Sequence, residues 1–431
     1  MNFEKSDYRL QIPDQALPEM MRVRQLFGGE RIRDVRAAVL ESLSALPEED
    51  LRGKRVAVTA GSRGIANILD VTRAVVDFLV SKGAEPFIIP AMGSHGGGTA
   101  EGQTALLAHY GITEESMGVP VKSSMETARI GHTPSGAEVH CDRFALEADR
   151  IVVVNRVKAH SDFKAKYESG ICKMMMVGLG KHLGAAAVHR AGSANFGTVI
   201  PEAARVHIDT GKILCGVALV ENAREETMIA EAIPPERIIA REPELLEVAK
   251  KSQGRILLEE MDLLILDEMG KDISGAGMDP NVTGRPPTGA PGFVAPAIGK
   301  IAVLSLTACS EGNAIGVGMA DIVSLDLARA FDPGPTYTNA LTAGVTWAGR
   351  LPMVANDDRD VLAFAMMGLG KSSLRDMKIV HAKNTLELED IEVSTNYAGE
   401  IRVRPDRFAC AFERAPMAFD EDGRLKRLHA G

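Results

Sequence analysis

The 431 residues carry a formal charge of -9, with 45% hydrophobic and 25% charged residues, an ordinary balance for a globular protein. The acidic excess, without a Lys/Arg stripe, argues against nucleic acid as a partner, and no apolar run approaches the ~20 residues of a membrane span. The length points to two domains.

Aromatic residues make up only 4% of the chain, whereas glycine (42) and methionine (19) are plentiful. Close backbone approach and aliphatic packing are therefore expected rather than aromatic stacking platforms. The five cysteines, without CxxC spacing, read as reduced thiols, and a thiolate metal site is disfavoured. The N-terminus, MNFEKSDYRLQIP, lacks the apolar core of a signal peptide, so a cytoplasmic location is expected.

In chain order, Arg55 to Ala60 reads as a short apolar strand that runs into GSRGIAN, with a helix from about Ile68 to Lys82. Pro86 to Pro90 is a second strand, followed at once by AMGSHGGGTAEGQ and a helix to His109. Strand, glycine loop and helix, repeated, predict a parallel sheet with its functional loops at the strand C-termini. Residues 112 to 150 look less regular. Ile151 to Val154 is the third strand and leads into NRVKAHSDFKAKYESGICKMMMVGLGKHLGAAAVHR, the stretch richest in polar chemistry. A helix near Gly197 to Val206, a strand Ile213 to Val220, a helix near Glu244 to Lys251 and a strand Leu263 to Asp267 follow. The Gly/Pro-rich loop EMGKDISGAGMDPNVTGRPPTGAPG is too charged for a plain linker. Beyond it, strands (Ile301 to Leu306, Ile379 to His381) alternate with helices (Ile322 to Ala330, Asn339 to Trp347, Asp360 to Met367). The pattern predicts two α/β domains with mainly parallel sheets, residues 1–265 and 266–431, with the active site in the cleft between them.

Several clusters could carry chemistry. Gly96, Gly97 and Gly98 follow His95 between a strand and a helix, where backbone N–H groups can meet an anion. The bland alternative is a tight turn with an exposed histidine. Arg63 ends the neighbouring strand, where its fork suits a carboxylate or phosphate; a surface arginine is the plain alternative. His160, Lys173 and His189 can serve as general base, nucleophile and metal ligand, although such wide spacing fits no zinc signature. His182 and His189, each alone, read as ordinary histidines. Lys271 and Arg285 add cations in the long loop, which could equally be a solvated interdomain segment.

Together AMGSHGGGTAEGQ, NRVKAH, SGICK…GLGKHLGAAAVH and GKDISGAGMDPNVTGR resemble the nickel-pincer nucleotide-dependent lactate racemase family of 2-hydroxyacid racemases and epimerases, over roughly residues 20 to 290. The resemblance implies a pyridinium-3,5-bisthiocarboxylic acid mononucleotide-type cofactor, in which two sulfurs and a ring carbon hold nickel. It implies hydride transfer from substrate C2 to that cofactor. By position, His95 and His160 would be the acid/base pair, Lys173 the residue that holds the cofactor through a thioamide, and His189 the nickel ligand, with His182 as runner-up. Arg63, Lys271 and Arg285 would bind substrate. Gly96, Gly97, Gly98 and Lys181 would serve the nucleotide phosphate.

This chain departs from the family pattern at Ala60-Gly61-Ser62-Arg63-Gly64, where only the arginine of an acidic-His-Thr-Arg-Pro motif remains. It also carries Ser169-Gly170-Ile171-Cys172-Lys173 in place of a glycine pair before the lysine. The changes argue against lactate and for a larger hydroxyacid such as a sugar acid. Two other readings stay open. One is a zinc- or iron-dependent lyase or hydrolase at the same histidines, with Asp162 or Glu168 as a further ligand. The other is a non-catalytic protein that binds a nucleotide or sugar acid. The expected partner is a small 2-hydroxyacid, with neither nucleic acid nor membrane, and a homo-oligomer is compatible with the sequence.

Overall fold

Val152, Val153 and Val154 are all inaccessible to solvent, on both faces of their strand. A continuous apolar run of this kind belongs to a parallel strand covered on both sides. The structure, a computed structural model, describes residues 3–7, 17–62, 64–192 and 195–428 and bears this out. The strand Arg150–Arg156 lies at the centre of a five-stranded sheet in the order Glu85–Pro90, Arg55–Ala60, Arg150–Arg156, Ile213–Glu221, Thr227–Ile233. The first four strands are parallel and the last is antiparallel. Helices Val35–Ser44 and Ile68–Ser81 pack on one face, and Phe196–Asp209 and Pro235–Ser252 on the other. The stretch 112 to 150 contains the antiparallel hairpin Thr127–His132 with Glu138–Asp142.

The chain falls into two compact units. Gly28–Gln253 form the first. Gly254–Gly431, together with the N-terminal part ending at Phe27, form the second. The sequence places the division between 265 and 266, as one continuous segment after another. In the structure the strand Glu260–Leu266 is central to the second unit, and Glu19–Gln25 pairs there with Asp390–Ser394 and Phe408–Pro416.

The second unit is built on an eight-stranded sheet, parallel from Met353–Ala355 through Ile322–Ser324, Ala297–Val303, Glu260–Leu266 and Ile379–Ala382. Its last three strands, Asp390–Ser394, Glu19–Gln25 and Phe408–Pro416, run antiparallel. The α/β class with mainly parallel sheets therefore holds. One predicted helix, Ile322 to Ala330, divides into the strand Ile322–Ser324 and the helix Leu325–Ala330. Ser324 caps that helix by accepting from the Leu327 N–H at 3.1 Å.

Among the described residues no single helix is long and apolar enough to cross a membrane. The pair Ile171–Leu179 and Lys181–Val188 has that length and composition but bends by 116°. Ile171, Met175, Leu179 and Val188 of this pair are core residues of the first unit.

Candidate active site

Three loops leave the C-terminal ends of neighbouring strands in the first unit, the position where parallel sheets build their sites. The loop after Pro90 carries His95, the loop after Ala60 carries Ser62, and the loop after Arg156 carries His160. Between the strands that bear the two histidines lies one strand, so their ends are about 10 Å apart. Under these loops runs the segment that begins with the turn Ile171–Lys173 and widens into a π-helix, Met174–Leu179. Such widened turns are rare and recur at functional sites. A Cβ on Gly61 would lie 3.2 Å from Met174 Cε, and one on Gly93 would lie 3.1 Å from Val177 Cγ1. Two of the loops thus rest directly on this segment.

His160 is half-buried, and its ring is held at both nitrogens. The Asp162 backbone N–H donates to Nδ1 at 3.0 Å, and Nε2 meets Lys173 Nζ. The Phe163 ring stacks beside it, 4.5 Å between centroids. Glu168, fully buried, closes the loop by accepting from the backbone N–H of His160 (2.6 Å) and Ala165 (3.2 Å). Its charge is met by Lys164 at 3.2 Å and Lys250 at 3.0 Å. These four partners occupy its oxygens, so Glu168 is a loop brace and not a zinc ligand. Among the described residues no group of three or more His, Cys, Asp or Glu could hold a metal ion.

The turn that presents Lys173 is fixed from behind by Glu242, a buried carboxyl on the helix Pro235–Ser252. It accepts from the Cys172 N–H at 2.8 Å. Burial pushes the Glu242 carboxyl up to about 7. Gly170 is required for this contact, because a Cβ there would lie 2.5 Å from Glu242 Cδ. Pro243 cannot donate to the carbonyl of Ile239 four residues back, and Tyr167 Oη takes that carbonyl at 2.8 Å. The helix is thereby joined to the loop of His160.

His95 is exposed, and its Nδ1 lies 2.5 Å from Ser62 Oγ. The glycines around it hold left-handed backbone, with φ of 62° at Gly93 and 65° to 67° at Gly96, Gly97 and Gly98. Side-chain-bearing residues seldom adopt this run, so the glycines are needed for the shape of the turn. Gln103, buried, donates to the carbonyls of Gly93 (3.0 Å) and His95 (3.2 Å).

Lys181 holds Gln103 in place and corrects the expectation that it reaches a nucleotide phosphate. It is fully buried, bonded to Pro90 O at 2.5 Å and Gln103 Oε1 at 3.1 Å, and ion-paired with Asp142 at 3.1 Å. Two hydrogen bonds and one ion pair thus surround its ammonium group. Burial pushes its pKa down and that of Asp142 up, against their mutual attraction. Lys181 therefore braces the loop of His95 from beneath.

The remaining predicted residues are spread more widely. Arg63 lies outside the described residues. His182 is exposed on the helix Lys181–Ala191. His189 stands seven residues further along that helix, with its side chain outside the described residues. Lys271 and Arg285 belong to the second unit. Arg285 does not present an open guanidinium there: it pairs with Asp321 at 2.6 Å and donates to Met319 O at 3.0 Å, which makes it a brace of its own loop. Sequence reasoning missed Ser62, Gln103, Asp142 and Glu242. Only Ser62, in a glycine-flanked loop after a strand, carried a local signal.

The fold and this histidine–lysine arrangement define an α/β protein with a polar site at the C-terminal edge of a parallel sheet. Residues 4–197 match the lactate racemase N-terminal domain. Its structure is similar to that of the lactate racemase apoprotein from Thermoanaerobacterium thermosaccharolyticum, at 15% identity and a TM-score of 0.52, covering 85% of this chain and 94% of that one. A protein from Thermotoga maritima matches at 13% identity and a TM-score of 0.48, covering 75% of this chain and 84% of that one. None of the curated proteins matches.

Proposed function

We propose that the protein is a racemase or epimerase of 2-hydroxyacids that works with a nickel-pincer nucleotide. The observation that carries this reading is the gathering of His95, His160 and Lys173 at one sheet edge, within a region that matches the lactate racemase N-terminal domain. The residues present fit such a cofactor. Lys173 is only partly buried, at the start of a rigid, buried segment, and its amine contacts an imidazole. A pincer ligand brings its own soft donors, so the protein need add one histidine and no multi-residue cluster. Lys173 would hold the cofactor and His189 would complete the metal site.

When bound, the cofactor supplies a hydride acceptor at its ring carbon. The chain's part is proton transfer and orientation. Racemisation requires a proton acceptor for each hand of substrate, and two histidines on separate loops satisfy that need. His95 Nδ1 faces Ser62 Oγ, which orients the ring, and Nε2 would exchange a proton with the substrate hydroxyl. His160 is oriented by the Asp162 backbone N–H and lies beside Lys173, so its proton exchange would be tied to the residue that would hold the cofactor. Arg63 would pair with the substrate carboxylate. The altered loop Gly61-Ser62-Arg63-Gly64 favours a larger hydroxyacid, such as a sugar acid. The protein would act in the cytoplasm.

The test is expression with the cofactor-synthesis enzymes, followed by nickel analysis, peptide mass and racemisation of a panel of chiral 2-hydroxyacids. The reading expects about one nickel per chain, as a single planar site requires. It also expects added mass on the peptide containing Lys173, and turnover of larger acids. Absence of both nickel and added mass would overturn it. Activity confined to lactate would overturn the substrate assignment alone.

A further inference from the structure

The His160–Lys173 pair constrains where its protons are. The Asp162 backbone N–H donates to His160 Nδ1 at 3.0 Å. A ring nitrogen that accepts a hydrogen bond carries no proton, so the proton of the neutral ring is on Nε2. Nε2 is the atom that meets Lys173 Nζ. An Nε2–H needs a lone pair opposite it. An amine has one and an ammonium has none. The reverse arrangement, with ammonium donating to Nε2, would require lone pairs on both ring nitrogens, an imidazolate that histidine does not form near neutrality. Protonating Nδ1 toward the Asp162 carboxylate, 3.8 Å away, would leave Nε2–H in place and Lys173 still the acceptor.

The surroundings act in the same direction. Lys164 and Lys250 converge on the single carboxylate of Glu168, and Lys164 also donates to His160 O at 2.9 Å. Lys164 lies on the same loop as His160 and disfavours further positive charge on the imidazole ring. Asp162, a second carboxylate near the ring, is half-exposed and correspondingly screened. Glu242, behind the Lys173 turn, is raised to about 7 by its burial and so is mostly protonated below neutral pH. Phe163 lies against His160 and stacks edge-on with Phe196 at 5.0 Å, which walls one side of the pair with apolar surface.

We infer that the chain itself holds Lys173 as a neutral amine, through a tautomer lock on His160 set by the Asp162 backbone and braced by Glu168. Lys173 is then a nucleophile toward acyl and carbonyl carbon, before any cofactor is present. In this role Asp162 and Glu168 are positioning residues, and His160 gains a function besides substrate proton transfer. The inference deepens the racemase reading but rests on the apoprotein's geometry, so either can fail without the other.

The experiment is competitive labelling of full-length protein, made without the cofactor-synthesis enzymes, using trace acetic anhydride from pH 6 to 10. In that step the amine nitrogen bonds to a carbonyl carbon, the bond to acetate breaks with its electron pair, and the nitrogen's proton goes to solvent. Peptide mass spectrometry reads each lysine. An ordinary lysine at pH 7 is neutral in roughly one molecule in 2,500. Lys173 is expected to label at least about tenfold faster than exposed Lys82 and Lys251 at pH 7, with a rate that levels off while theirs keep rising about tenfold per pH unit. His160→Gln offers an amide oxygen to an ammonium, and is expected to return Lys173 to within about twofold of the exposed lysines. Glu168→Gln is expected to reduce the preference by an intermediate factor. The wild-type profile alone decides the matter if either variant misfolds by circular dichroism. Labelling of wild-type Lys173 at the rate and pH dependence of Lys82 would overturn the inference. So would fast labelling that survives in folded His160→Gln. Fast labelling in a protein that never takes up nickel would leave this inference standing and remove the racemase reading.

Discussion

Replacing Glu242 by glutamine separates what this carboxyl does as a shape from what it does as an acid. The folded state holds it at about 7, raised by burial, against an ordinary 4.5. A carboxyl whose pKa rises on folding binds its proton more tightly in the native state, so it costs nothing at low pH. The cost grows as pH passes 4.5 and levels off above about 7. With those two values the cost is about 0.8 kcal/mol at pH 5 and about 3.3 kcal/mol at pH 8. Glutamine keeps an oxygen for the Cys172 N–H but does not ionise. Its extra N–H groups, if unmatched, add a penalty that does not vary with pH. The difference between Glu242→Gln and wild type should therefore move by about 2.5 kcal/mol in the variant's favour between pH 5 and pH 8. Urea unfolding of both proteins in matched buffers measures it, as the shift of midpoint multiplied by the common slope. A difference that stays flat across that range would show that Glu242 ionises freely, and would refute the account of the buried contact behind Lys173.

Three further outcomes follow from the same geometry. Lys181→Met leaves the buried Asp142 carboxylate without its ion-pair partner and should cost about 3–5 kcal/mol in thermal or urea unfolding, with much of the loss restored by adding Asp142→Asn. Gly170→Ala drives a Cβ into the Glu242 carboxyl and should cost at least about 2 kcal/mol, while Gly136→Ala, where nothing lies within 4 Å, should cost only what its φ of 90° imposes. In the second unit, burial tends to lower the pKa of His381, but Asp267 at 2.7 Å and Glu392 at 3.5 Å prevail and raise it. Its stabilising proton is present below the ordinary value of 6.5 and is lost as pH rises through the folded value. Melting temperature should therefore fall on the alkaline side, and His381→Gln should abolish that part of the slope.

Much of the first unit was legible because its parallel strands are continuous apolar runs that end in glycine and polar residues. Val152 to Val154 and the loops carrying His95 and His160 needed nothing further. The second unit was harder to read. Glu19–Gln25 alternates buried and exposed positions, a strand signal, but its partners are some 370 residues away, as in the pair of Arg24 with Asp390. Pairing at that distance leaves no local trace, and so the N-terminal strand was assigned to the wrong unit. Phe408–Pro416 is mostly exposed and presents too little apolar pattern to be seen. Ser324, followed by Leu325 and Asp326, did signal a helix start, but the apolar spacing of IVSLDLARA concealed it.

Lys181 is the instructive error. The resemblance alone placed it at the nucleotide phosphate; in the structure this lysine, directly after Gly180, has an αL backbone of φ 52°. Its burial depends on Asp142 and Gln103, which come from two other segments. The same holds at the other two site loops: the brace for His160 is completed by Lys250, and the brace for Lys173 by Glu242, both from the helix Pro235–Ser252. Polar side chains at a sheet edge can be found from local motifs because strand ends mark themselves. Loops, however, have few backbone bonds of their own, and buried charges brought from distant helices must fix them. A carboxylate in such a place is costly unless it is fully matched, so each brace ties the shape of the site to protonation. Glu168 is matched by four donors. Glu242 is matched by fewer, which is why its pKa rises and why it sets the pH above which the Lys173 turn becomes harder to hold.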